Sequence, residues 1–390
     1  MKDRKRAVLF SLYLFPFIMN IALIDFIIPI KYDSVLDNLP LLGFLITLAW
    51  IASSFLDFAV GDLTDKIGVR KTLQLGVALS FLGSVIFALS SNFVIMTLGV
   101  FVWGLSYVLL STPSNTLIFS SFPKKYVGSA YGWLYSFWDI AYAFAPLLAL
   151  LVVTFLSIDA VIFIAAFIPL LTLIMAFKIS NKAKEGVVDG IGEVLYRDGI
   201  IRKELKDIKK MSAKELSLFL NMFVCGFWFV TILMAAPLLF FHGGGNLFQG
   251  AMLAFAFMLP MAIIELVYGR LANTHKRRTS MIKYGFLASA LLLFVFYFTQ
   301  DFAVMLVIAF LTTLTMNMAW VGGEVSVSEY LPKGRKGEFT GIFVAGKDLG
   351  FDLAPLFYGL FASISLKIPF LVLGIVLLTA CILFFIVHRK

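Results

Sequence analysis

The chain has 390 residues, of which 61% are hydrophobic and 14% charged, and it carries a formal net charge of +9. A soluble globular domain is nearer half apolar and a quarter charged, so this composition, with its mean hydropathy of +0.97, excludes one. Cys225 and Cys381, the two cysteines, both sit in apolar runs and give no disulfide framework, and no His/Cys cluster has the spacing of a metal site.

Apolar runs of roughly 20 residues recur along the whole chain, the length a helix needs to cross a bilayer. The start, MKDRKR and a long apolar run, lacks a small-residue cleavage site and reads as an uncleaved first span. Six spans are expected over about 7–30, 39–60, 72–90, 93–120, 127–154 and 158–178. Residues 179–213 break the pattern. They are polar and basic, with Val194, Leu195, Ile200, Ile201, Leu205 and Ile208 spaced loosely like one helical face, which predicts a linker partly helical on the membrane surface. Six more spans are expected over about 214–241, 246–268, 280–299, 303–328, 337–364 and 368–388. The domains expected are therefore an N-terminal bundle over 1–178, the linker over 179–213 and a C-terminal bundle over 214–390.

When loops are assigned alternately to the two sides of a membrane, every Lys and Arg except Lys347, Lys31 and Lys367 falls on one side. That asymmetry is the positive-inside rule. It predicts a protein of the cytoplasmic membrane with both termini cytoplasmic. The basic charge is then topological, with anionic lipid headgroups as its partners and no nucleic acid.

The two halves repeat. Gly128–Pro146, GSAYGWLYSFWDIAYAFAP, aligns with Gly337–Pro355, GEFTGIFVAGKDLGFDLAP, 209 positions later. Asp139 matches Asp348 and Pro146 matches Pro355, whereas Lys347 faces Trp138 and Asp352 faces Ala143. Pro29, Asp57 and Gly61 recur as Pro237, Glu265 and Gly269. Six plus six spans with a cytoplasmic linker is the internal-repeat plan of a secondary transporter.

The loop after the second span reads GDLTDKIGVRKT from Gly61 to Thr72. Here the chain resembles the major facilitator superfamily, whose signature in this loop is matched by Gly61, Leu63, Asp65, Lys66, Gly68, Arg70 and Lys71. The second-half copy, beginning at Gly269, is degraded. The resemblance covers the whole chain. It implies an all-α integral membrane fold of twelve transmembrane helices in two six-helix bundles related by a pseudo-twofold axis, working by alternating access. It also implies that Gly61, Asp65, Gly68, Arg70 and Lys71 form a conformational latch. The closest general pattern is that of the drug/proton antiporter-like members. Two departures stand against it: Val100 lies where such exporters carry arginine, and Ala145-Pro146 replaces their Gly-Pro.

Charged groups inside a bilayer are costly and mark a pathway, a proton site or an internal pair. One base, Lys347, stands against five acids: Asp25, Asp139, Glu324, Asp348 and Asp352. Asp25, Glu324 and Asp352 are the proton-coupling candidates, Asp25 first because its second-half counterpart is the neutral Leu233. Asn20, Asp25, Asn115, Trp138, Asp139, Trp228, Asn317, Lys347 and Asp348 are the substrate-cavity candidates. Lys347 is read equally as a partner of Glu324 or of an aspartate. No nucleotide-binding loop or nucleophile–base pair is present, so an ion gradient and not ATP is expected to drive the protein, and enzyme activity and cofactors are not expected. The leading expectation is a monomer that exports hydrophobic or cationic small molecules against protons. The alternative is symport of a small organic solute, and the third is a non-transporting sensor.

Overall fold

The computed structural model describes residues 2–54, 60, 63, 64, 66–121, 124–176, 211–242, 245–272, 274–327, 329 and 336–389. The linker over 179–213 falls almost wholly outside them, as do Gly61 and Asp65 of the loop motif.

Helices account for the described chain, and no strand is present among the described residues. They are α1 (Lys2–Leu36), α2 (Leu39–Ser54), α3 (Val69–Leu89), α4 (Phe93–Ser121), α5 (Lys124–Phe155), α6 (Ile158–Phe167), α7 (Leu170–Ala176), α8 (Ala213–Phe241), α9 (Leu247–Leu271), α10 (His275–Phe298), α11 (Phe302–Val327), α12 (Lys336–Ala362) and α13 (Ile368–Val387). A helix bonds its backbone groups within itself, so it is the open segment that lipid tolerates. Nine of the described helices are long and apolar enough to cross a membrane. Two shorter apolar stretches, Leu39–Ile51 and Ile158–Leu173, add to these. The second is broken between α6 and α7 at Pro169, which supplies no amide hydrogen to a helix ladder. The remaining expected span is α12, which carries Lys347, Asp348 and Asp352 in mid-helix. The all-α membrane fold expected from the sequence is what the chain adopts.

The chain divides into two compact units: unit 1 is Met1–Val35 with Leu48–Ile200, and unit 2 is Leu36–Thr47 with Ile201–Lys390. The first half of α2 therefore belongs with unit 2. The reason is local. Gly43 has no side chain, and a Cβ there would overlap the carbonyl oxygen of Pro355 and lie 3.2 Å from the Cα of Gly359. Thr47 Oγ1 accepts a hydrogen bond from the amide of Leu356 at 3.0 Å.

Unit 1 is organised on α1. Asn20 is fully buried. Its amide nitrogen donates to the Ala165 carbonyl at 2.8 Å, and its oxygen accepts from Ser80 at 2.7 Å and from the Trp103 indole at 3.1 Å. One side chain thus ties α1 to α3, α4 and α6, as interhelical hydrogen bonds do where hydrophobicity cannot discriminate one apolar face from another. Backbones of α3 and α4 meet at Gly83 and Gly99, where a Cβ on Gly83 would overlap the Trp103 amide and lie 2.7 Å from the Gly99 carbonyl. At the far end of α1, the buried Lys31 donates to the carbonyls of Phe87 and Ala88 at 2.7 and 2.8 Å and to Asp159 at 2.7 Å. It therefore caps α3, whose last carbonyls have no partner inside the helix.

Unit 2 is organised on α8, whose N-terminus is closed by a capping box between Ser212 and Glu215. Helix α12 lies against it at backbone distance. A Cβ on Gly350 would overlap the Phe223 carbonyl oxygen and lie 2.7 Å from the Phe227 amide, and a Cβ on Gly226 would overlap the Lys347 carbonyl oxygen. Gly346 and Gly350 stand four apart, the small-xxx-small spacing that lets membrane helices approach closely. In this unit Lys367, just before α13, donates to the Thr299 carbonyl at 2.5 Å and so caps α10.

The end of unit 2 that holds the C-terminus contains a histidine cluster. His388 Nε2 and Ser217 Oγ are 2.9 Å apart, Lys283 donates to the His388 carbonyl at 2.9 Å, and the Phe384 ring stacks on the imidazole at 4.2 Å. Burial, then the positive charges of Lys214, His275 and Lys283, lower the His388 pKa from 6.5 to about 4. The unfolded chain therefore takes up this proton at a higher pH than the fold does. Unit 2 is expected to lose stability as pH falls from about 6.5 to about 4, by about 1 kcal/mol once solvent screening is allowed for. Thermal unfolding of His388→Gln, which keeps a polar partner for Ser217, should show a smaller fall in midpoint over that interval than the parent chain.

Candidate functional site

Each unit places charged and aromatic groups together inside its helices. In unit 1 the group is centred on Asp25, 9% exposed on α1. The Tyr142 hydroxyl, on α5, donates to Asp25 Oδ2 at 2.5 Å. The Tyr142 ring stacks on Trp138, one turn earlier on α5, with centroids 6.1 Å apart and planes at 16°. Tyr107 of α4 meets Trp138 edge-on at 5.7 Å. The carboxylate therefore ends a chain of three aromatic side chains, and its partner among the described residues is a phenol and not a cation. Asp139, adjacent to Trp138, is half-buried.

In unit 2 the centre is Lys347, whose ammonium lies 3.9 Å from Glu324 Oε1. The lysine side chain is 11% exposed and the glutamate 29%. The same ammonium stands 5.7 Å from the centroid of Trp320 and 5.9 Å from that of Phe351. Phe229 of α8 completes the box, 6.0 Å from Trp320 and 5.7 Å from Phe351. A cation over aromatic faces is held by their quadrupoles, so the Glu324 carboxylate and these two rings help to secure the lysine. Gly226 and Gly350 make the arrangement possible, because close approach of α8 and α12 brings Lys347 beside α11.

Thr313, Asn317, Trp320 and Glu324 form one stripe on α11 at spacings of four, three and four residues. Asn317 is 2% exposed, and neither of its amide atoms has a hydrogen-bond partner among the described residues. The same holds for Thr313 Oγ1 and for the indole nitrogen of Trp228, which is 1% exposed on α8. Buried polar groups of this kind carry a desolvation cost that a polar guest or a water relieves. Asp352 is buried and Asp348 half-buried on α12.

Of the residues singled out by sequence, the structure brings Lys347 and Glu324 into contact and sets Trp138 beside the phenol that holds Asp25. It places Asn20 in the packing of four helices. The Asn115 side chain lies outside the described residues. In the loop motif, Gly68 has φ 86°, a conformation that favours glycine, and its carbonyl accepts from Thr72 at the start of α3. Tyr142, Tyr107, Phe229 and Phe351 were not singled out as site residues. For two of them the sequence carries a signal, i, i+4 spacing from residues that were: Trp138 to Tyr142, and Lys347 to Phe351.

A helical chain with bilayer-length apolar spans, and with charged groups buried in both units, has the make-up of an integral membrane protein. The Major Facilitator Superfamily profile matches residues 10–251 and 216–390, and the chain belongs to that family. It is a transporter and not an enzyme. No curated protein matches it in sequence. Its fold is similar to that of a solved structure described as D-xylose-proton symporter, at TM-score 0.70 and 15% identity, covering 96% of this chain and 97% of the other. It is likewise similar to the inward open conformation of the xylose transporter XylE from E. coli, at TM-score 0.73 and 15% identity, covering 96% and 94%.

Proposed function

We propose that this chain is a proton-coupled symporter of a small, polar organic solute. The observation that carries the reading is the position of Lys347. An aromatic pocket for lipophilic cations needs open ring faces, and the faces of Trp320 and Phe351 are taken by the chain's own ammonium. A fixed cation there also repels a second one. What unit 2 offers instead is neutral hydrogen bonding from Asn317, Thr313 and Trp228. On this reading, export of hydrophobic or cationic small molecules, the leading expectation from sequence, gives way to its alternative. The folds it resembles include a xylose–proton symporter, which agrees in direction. Asp25 is the coupling carboxylate in this reading, with Glu324 and Asp352 behind it, and Asn20 belongs to the scaffold.

The test is a proteoliposome containing a pH-sensitive dye. Sugars, amino acids and tetraphenylphosphonium are added outside in turn, with no gradient imposed. Symport acidifies the lumen when a polar solute is added. Alkalinisation on adding any of them means antiport and overturns the proposal. Asp25→Asn should abolish the acidification, a loss of at least tenfold, while solute exchange at equal pH persists. Retained acidification would remove Asp25 from the coupling role.

A further inference from the structure

We infer that Tyr142 is the positioning residue for the coupling proton: its hydroxyl holds Asp25 so that Oδ1, and not Oδ2, receives the proton. This rests on the reading of Asp25 as the coupling carboxylate. The geometry is specific. Tyr142 donates to Oδ2 at 2.5 Å. A carboxylate oxygen already accepting a short charge-assisted bond is the poorer site for a second proton, so the incoming proton bonds to the other oxygen while Tyr142 keeps its own. One O–H bond forms at Oδ1, and the carboxylate charge is neutralised with no other bond broken in the chain.

The following charged and titratable groups come from the described helices. On α1 itself the nearest cation is Lys31, which is committed to Phe87, Ala88 and Asp159. From α5 come Tyr142 and Asp139, and from α4 comes Tyr107, which acts on Tyr142 itself and also meets Trp138. The described part of α3 facing inward carries Ser80 and Ser84 and no titratable group. Tyr142 itself is fixed by its stack on Trp138, whose ring is buttressed edge-on by Tyr107. An aromatic of this kind has only two side-chain torsions to fix, so the stack sets where the hydroxyl points. The phenol is thus the partner through which the protein can control when Asp25 is charged.

The experiment needs no substrate. Infrared difference spectra of the full chain in lipid are recorded across a pH titration, following the C=O stretch of protonated carboxyl groups. Asp25→Asn identifies the Asp25 band by its loss. In Tyr142→Phe that band should change frequency, because its hydrogen bond is gone, and its titration midpoint should move by about one pH unit. Trp138→Phe, which keeps the phenol but loosens it, should broaden the band. If Asp25→Asn removes the band and Tyr142→Phe leaves both frequency and midpoint unchanged, the role of Tyr142 is overturned and the coupling role of Asp25 stands. If no titrating band is lost in Asp25→Asn, the coupling reading itself falls, and this inference with it. Should Tyr142→Phe not fold, 3-fluorotyrosine at position 142 keeps the volume and strengthens the donor. An unmoved midpoint in that protein overturns the inference equally.

Discussion

Gly350→Val should lower the thermal unfolding midpoint of the protein by about 5–10 °C. The added carbons have no room. Even the first of them would overlap the Phe223 carbonyl oxygen and press on the Phe227 amide, and both are backbone atoms of a helix that cannot rotate aside. Forcing extra volume into a packed contact costs about 1–3 kcal/mol where side chains can adjust, and here it is backbone that must move. The damage reaches the site as well. Lys347 lies three residues from Gly350, so pushing α12 off α8 carries the ammonium away from Glu324. The control is Gly269→Ala in α9, where a Cβ would meet nothing within 4 Å. That change should leave the midpoint unaltered or raise it slightly, since alanine is the better helix former. A parental midpoint in Gly350→Val would mean that the two helices are not in backbone contact.

The second large effect concerns the ion pair, and it should be asymmetric. Glu324→Gln removes a carboxylate from beside Lys347, the more buried partner at 11% exposure, and is expected to cost about 3 kcal/mol. Lys347→Met leaves Glu324 its side-chain hydrogen bond with Trp320, and at 29% exposure the carboxylate reaches solvent more easily, so this change should cost about half as much. The double variant should cost less than the sum, with a coupling of about 1 kcal/mol. A further readout separates this pair from ordinary packing. Lys347→Met uncovers the faces of Trp320 and Phe351, so binding of tetraphenylphosphonium should tighten by about tenfold. Additive single changes together with unaltered cation binding would show that the pair and its aromatic box do not act as a unit.

The fold was largely legible because its causes are local. Bilayer-length apolar runs, the 209-residue repeat and the loop motif from Gly61 to Thr72 all lie in contiguous sequence. The site was less so, because its causes are not. Asn20 has the composition of a cavity residue, but its partners lie 60, 83 and 145 positions away and only folding brings them together. Lys347 had several carboxylates within reach of reasoning, and the choice of Glu324 depends on how closely α12 approaches α8. That approach was written in Gly346 and Gly350, within a stretch conspicuous for its charges, so the glycines passed unremarked. Tyr142 is one of thirteen tyrosines, and its i, i+4 spacing from Trp138 does not distinguish a phenol bonded to a carboxylate from one facing lipid. Position 169 breaks the sixth span in two, as a proline does, without shortening the apolar run that revealed it.

The two loop-side lysines that depart from the charge asymmetry, Lys31 and Lys367, share one trait. Each spends its ammonium on the carbonyl end of a helix in its own unit, Lys31 on α3 and Lys367 on α10. Both stand at the opposite end of their unit's helices from the chain terminus. A helix ending there would otherwise offer bare carbonyls to the interface and draw in water or a choline or ethanolamine headgroup. With the ends closed from within, α3 and α10 stop without borrowing a partner from the bilayer. These two helix ends therefore ask fewer partners of the lipid that surrounds them.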